Sequence, residues 1–187
     1  MYNASDLRKG LKIEMDGVPF VVTEFNFVKP GKGQALYVCR LKNMISGGTV
    51  SKTFRSNDKI DKPDMEQKTL RYSYAEGDDC VFLDEDYHQI TVPASVLGDQ
   101  RYFLSEDMAV EVVIYNGEPV DVTLPTFIEK TIVETEPGVR GNTATNVMKE
   151  ARIEGGFALQ VPLFINTGDI VKIDTRTSAY ADRISKG

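Results

Sequence analysis

Residues 109–124 read AVEVVIYNGEPVDVTL. Two arms rich in β-branched residues, Ala109 to Tyr115 and Val120 to Leu124, flank Asn116-Gly117. That pair accepts the positive φ angles that a tight hairpin turn demands. Pro125 then ends the second arm, because proline has no amide to donate to a sheet. The segment reads as a β-hairpin, and it sets the pattern for the chain.

The same grammar recurs on either side. Leu11 to Met15 alternates, Asp16-Gly17 turns, and Val18 to Val22 returns. Phe25 to Val28 runs into a Pro/Gly-rich tip, and Ala35 to Leu41 leads away from it. Ser46-Gly47-Gly48 turns the chain into a strand over Thr49 to Phe54. Lys59 to Asp64, charged and holding Pro63, reads as a linker. Leu70 to Tyr74, a turn at Glu76 to Asp79, and Cys80 to Leu83 open a second β module. Pro93 to Leu104 is the best helix candidate, shortened by Gly98. A third module begins near Lys130, with strands at Thr131 to Glu134, Ala151 to Ile153, Ala158 to Val161 and Ile170 to Ile173. Residues 137–144 form a polar loop between the first two of these. Short strands with frequent turn residues indicate an all-β protein of small barrels, OB or SH3-like. The expected modules span 1–64, 65–129 and 130–187.

Charge is segregated along the chain. Its 187 residues carry a net charge of −6, with 22 Lys/Arg against 28 Asp/Glu. Residues 1–64 hold 11 basic and 7 acidic side chains, residues 65–129 hold 3 and 14, and residues 130–187 hold 8 and 7. A basic first third suits contact with phosphate; the acidic middle stays out of it. No stretch approaches the roughly 20 apolar residues of a membrane helix, and the first residues lack the apolar core of a signal peptide. Cys39 and Cys80 lack metal or redox spacing and read as thiols of a reducing, cytoplasmic compartment.

Catalytic constellations are missing. The only histidine, His88, lies beside an acidic turn. There is no nucleophile elbow, no His-Glu-x-x-His and no phosphate-binding loop followed by a helix. Asp84-Glu85-Asp86 lacks the central glycine and distal glutamate of a calcium loop. The expectation is a binding protein without cofactor or metal.

The most informative segment is Phe27-Val28-Lys29-Pro30-Gly31-Lys32-Gly33-Gln34-Ala35. Proline fixes one torsion and the flanking glycines free the backbone, so Lys32 stands without neighbouring bulk. This stretch, VKPGKGQA, closely resembles the lysine-bearing loop of the elongation factor P family. Further motifs follow in order: Leu11-Lys12-Ile13 with Asp16-Gly17, Thr53 to Ser56, Asn116 to Pro119, Glu134 to Gly138, Val161 to Ile165, and Asp174-Thr175-Arg176 running to Tyr180 and Arg183.

The resemblance implies an SH3-like (KOW-type) domain followed by two OB-folds, in an L-shaped outline similar to transfer RNA. It implies a non-catalytic, monomeric factor that binds the 70S ribosome between the P and E sites and relieves stalling at consecutive prolines. Lys32, framed by Lys29, Pro30, Gly31, Gly33 and Gln34, would reach the acceptor end of P-site peptidyl-tRNA, extended by a lysine-modifying enzyme. Gly141, Asn142, Thr143 and Ala144 match a loop that approaches the mRNA codon, with Asn142 where many members have Asp. Tyr180 and Arg183 match positions that contact ribosome or tRNA; three residues apart near the C-terminus, they share a surface there or else pin the terminal strand. Asn146 to Glu150 is an insertion-like departure. Two other readings stand beside this one: a general RNA-binding OB or KOW protein, and the family's paralogue, which differs at the tip.

Overall fold

The computed structural model describes residues 1–138 and 147–187. It is all-β, with sixteen strands, one single-turn α-helix and two 3-10 turns among the described residues. The chain forms two compact units, Met1–Lys68 with Val113–Asp121, and Thr69–Val112 with Val122–Gly187.

In the first unit, β2 (Lys12–Met15), β3 (Val18–Val28), β4 (Leu36–Asn43) and β5 (Thr49–Arg55) form an antiparallel meander in chain order. Asp16 and Gly17, with φ of 52° and 76°, make the tight turn between β2 and β3. β1 (Tyr2–Asn3) pairs with β6 (Lys59–Ile60). The expected linker therefore starts as a strand. Ile60 is buried in the core, and the Asp61 carbonyl accepts the Glu14 amide at 2.9 Å, so apolar burial and pairing outweigh the charge around them. The core gathers Ile13, Phe20, Val22, Leu41 and Phe54.

β3 holds the detail that matters for the tip. Phe20 and Val22 face the core; a bulge between Val22 and Glu24 then shifts the phase. Phe25 and Phe27, rather than even-numbered residues, continue that face. The Tyr115 hydroxyl, brought to this unit by the Asn116-Gly117 hairpin, lies within reach of two acceptors. These are the Glu14 carboxylate and the Gly17 carbonyl, the latter at 3.1 Å.

The middle sheet runs in the order β11-β10-β7-β8-β9. Its strands are β7 (Met65–Glu76), β8 (Asp79–Leu83), β9 (Gln89–Val92), β10 (Ala109–Tyr115) and β11 (Glu118–Thr123). The expected helix is a single turn, α1 (Ala94–Leu97), which Gly98 at φ +55° converts to a 3-10 turn through Phe103. Leu97 and Phe103 anchor it in the core.

The last sheet runs β14-β13-β12-β15-β16, from β12 (Phe127–Thr135), β13 (Met148–Ile153), β14 (Ala158–Pro162), β15 (Ile170–Asp174) and β16 (Ala179–Ser185). Ala151, Ile153, Leu159, Val161, Val171 and Ile173 fill its interior. From Met148 on, the stretch read as insertion-like is regular strand, with Lys149 facing inward.

Candidate functional site

The long strands β3 and β4 stay paired out to Val28 and Leu36, leaving residues 29–35 as the tip. Along this ribbon Tyr37 sits between two rings, 6.2 Å from Phe25 and 5.1 Å from Phe27 in an edge-on contact. Such pairs add to the stability of a ribbon that has little core of its own. Phe27 is exposed, so the ladder braces the arm near its end without a core beneath it. Ser56 donates to the Ala35 carbonyl at 3.5 Å, tying the outgoing limb to β5's end.

Lys29, Pro30, Gly31, Lys32, Gly33 and Gln34 are all exposed. Gly33 has φ +107°, a conformation that a side chain resists, and a Cβ at Gly31 or Gly33 would touch nothing within 4 Å. Lys32 makes no hydrogen bond or ion pair with any described residue. The result is a braced stalk carrying a free ammonium on an open loop.

The other expected contacts lie on the last sheet. Gly141, Asn142, Thr143 and Ala144 fall outside the described residues. On the flanks of that loop, the Gly138 amide donates to Asn166 Oδ1 at 2.7 Å. The Lys149 ammonium donates to the Ile165 carbonyl at 2.6 Å and to the Glu136 carbonyl. Burial pushes the Lys149 ammonium down, partly offset by Glu136 and Asp169.

Tyr180 and Arg183 share a face although they are three residues apart. A bulge in β16 pairs Tyr180 with Ile173 and Arg183 with Val171, both inward-facing positions. Arg183 lies 3.8 Å from the Asp169 carboxylate and 4.8 Å over the Phe164 ring. Asp169 is only 2% exposed and accepts the amides of Asn166 and Gly187 at 2.9 and 3.0 Å. Burial alone would raise its pKa. Those two amides and the charges of Arg183 and Lys186 outweigh it and hold the carboxyl below the ordinary range. Burial also raises the Tyr180 phenol. Arg183 thus has structural partners, Asp169 and Phe164, beside any role as a contact.

Elsewhere, His88 sits on the surface 3.4 Å from Asp84, whose Oδ1 caps the amides of Asp86 and His88. Cys39 and Cys80 are buried free thiols, both pushed up by desolvation. The sequence reading passed over Lys130 and Lys149. Each occupies an inward position of an alternating strand, Ile128-Lys130-Ile132 and Lys149-Ala151-Ile153. That pattern was available as a signal.

Antiparallel sheets, one of them carrying an exposed lysine at the tip of a long two-stranded ribbon, define a class: modular all-β proteins. Comparison with known proteins narrows it. Three family models match: "Elongation factor P (EF-P) KOW-like domain" at residues 3–60, "Elongation factor P (EF-P) OB domain" at 65–122, and "Elongation factor P, C-terminal" at 128–183. The elongation factor P of Desulfotalea psychrophila is 42% identical over 187 residues, all of both chains. That of Desulfosudis oleivorans is 46% identical over the same full span. The chain belongs to the elongation factor P family, a family of translation elongation factors and not of enzymes. The fold has a solved counterpart in a protein titled eukaryotic translation initiation factor 5A from Methanococcus jannaschii. That structure matches with a TM-score of 0.57 and 20% identity, over 66% of this chain and 91% of the other.

Proposed function

We propose that this translation factor works in the cytoplasm on the 70S ribosome, between the P and E sites, and speeds peptide-bond formation at consecutive prolines. Lys32 reaches toward the acceptor end of P-site peptidyl-tRNA, and a lysine-modifying enzyme lengthens it. The single observation that carries this is the exposed Lys32, without a partner among the described residues, on the open loop of a braced ribbon. An arm that orders a tRNA end restores attack geometry without supplying a chemical group, so the ribosome keeps the chemistry. The domain matches support modules at 1–64, 65–129 and 130–187. Tyr180 and Arg183, with the Gly141 to Ala144 loop, serve as the second contact with ribosomal or messenger RNA.

The test is a Pro-Pro-Pro reporter beside one without prolines. Lys32→Ala should fold normally and lose most of the Pro-Pro-Pro rescue, with the other reporter unchanged. Full rescue by that variant refutes the role of Lys32. Intact mass of the native protein reads the modification directly: an added mass confined to Lys32 is the expected result.

A further inference from the structure

We infer that Lys130 is a positioning residue: its buried ammonium pins the C-terminal sheet to the turn at Leu104-Ser105, so that the two move as one body. Lys130 is 5% exposed and points inward from β12, between Ile128 and Ile132. Its Nζ donates to the Leu104 carbonyl at 3.0 Å and to the Ser105 hydroxyl at 2.9 Å, partners 25 and 26 residues earlier in the chain. Burial pushes this ammonium down from its ordinary value, partly offset by Glu154.

Ring packing lies beside these bonds. Phe157 packs against Tyr102 at 5.6 Å and against Phe103 at 5.1 Å. Beside these contacts lies a cleft of about 490 Å³, lined by Tyr72, Cys80, Arg101, Lys130 and Glu154 among others. Across the cleft Arg101 is held by Asp78 at 2.7 Å. A cleft lined by Arg101, Lys130 and Glu154 interrupts the packing here, and junctions between modules move unless the interface is large and hydrophobic. Two hydrogen bonds from a desolvated cation are directional where ring packing is not. Desolvating an ammonium is costly, so its burial adds little net stability, whereas its two bonds fix a direction. The lysine is therefore explained by orientation.

This matters because the proposed function uses the Tyr180–Arg183 face as a contact, and it rests on that reading only there. A face already ordered within its own unit binds without a further ordering cost.

The test uses the full chain and two variants, Lys130→Met and Ser105→Ala. In wild type, ¹⁵N relaxation should give Thr69–Val112 and Val122–Gly187 one tumbling time. In Lys130→Met the two segments should separate, with both still folded and the melting temperature lowered by no more than a few degrees. Ser105→Ala should show a smaller separation in the same sense. Pro-Pro-Pro rescue should fall several-fold in Lys130→Met. A single tumbling time in Lys130→Met overturns the inference. So does a collapse of the melting temperature with loss of dispersed resonances, which would make Lys130 an ordinary core residue. Loss of rigidity with full rescue overturns its positioning role. If Lys32→Ala retains full rescue, the functional reading fails instead, and the relaxation data still decide the joint.

Discussion

Two residues carry the proposed function in different ways, because one is free and the other is not. Lys32 is exposed and makes no hydrogen bond or ion pair with any described residue, so its substitution isolates function from stability. Lys32→Arg keeps the charge and cannot accept a lysine-specific extension. If charge alone sufficed, Arg would retain much of the activity; we expect it to resemble Ala in the Pro-Pro-Pro reporter, because reach through the extension is what orders the tRNA end. Arg183 is different. Its contacts with Asp169 and Phe164 mean that Arg183→Ala should weaken ribosome binding and also lower stability by about 1 kcal/mol, roughly a few degrees in Tm. Unchanged Tm with lost binding would show those contacts to be incidental. Asp169 adds a pH dependence. Its folded pKa lies below the unfolded value of about 3.9. Its stabilising effect is thus complete above that value and lost as pH falls through the folded pKa. Asp174, held low first by its bond to Arg176, acts in the same window. Thermal melts below about pH 4 should fall less steeply for Asp169→Asn than for wild type; equal slopes would remove Asp169 from the account.

At the scale of elements, the arm is a ribbon that outruns its core. Its stiffness comes from pairing and from the Phe25–Tyr37–Phe27 ladder. Tyr37→Ala should leave the meander folded but speed amide exchange over residues 25–38. It should also cut Pro-Pro-Pro rescue with Lys32 still present. Rescue unaffected by faster exchange would show that the tip needs no stiff support. This ribbon was largely legible beforehand, since alternation and the Pro-Gly-Lys-Gly stretch set both arms and the loop. The bulge at Thr23 was not, although the jump from Phe20 and Val22 to Phe25 and Phe27 records the phase change. The second bulge, in β16, is what puts Tyr180 and Arg183 on one face; spacing alone would have placed them on opposite faces. The short helix was foreseen as interrupted, because Gly98 can adopt the positive φ that ends it. The strand at Lys59–Ile60 was missed, since two residues show no period and their pairing with Tyr2–Asn3 is long-range.

At the scale of the whole molecule, local pattern reaches its limit. Tyr115 meets Glu14 across 101 residues of sequence, and Lys130 meets Leu104 across 26. Neither pairing has a local signature, because both are set by how modules pack and not by how strands form. Charge, by contrast, is additive and was legible in full. Residues 1–64 carry 11 basic against 7 acidic side chains, and residues 65–129 carry 3 against 14. If the first third meets RNA phosphate, each lysine in contact releases condensed counterions, and affinity falls linearly with salt on logarithmic axes. Removing one phosphate contact should reduce that slope by about 0.7 to 0.9. Ribosome binding measured across a salt series should therefore show a shallower slope for Lys29→Ala. Asp86→Asn, on the exposed turn of the acidic middle, should leave the slope as it is. A change in slope for the acidic variant equal to that for the basic one would mean that net charge governs binding, and that the segregation of charge along the chain has no bearing on which part meets the RNA.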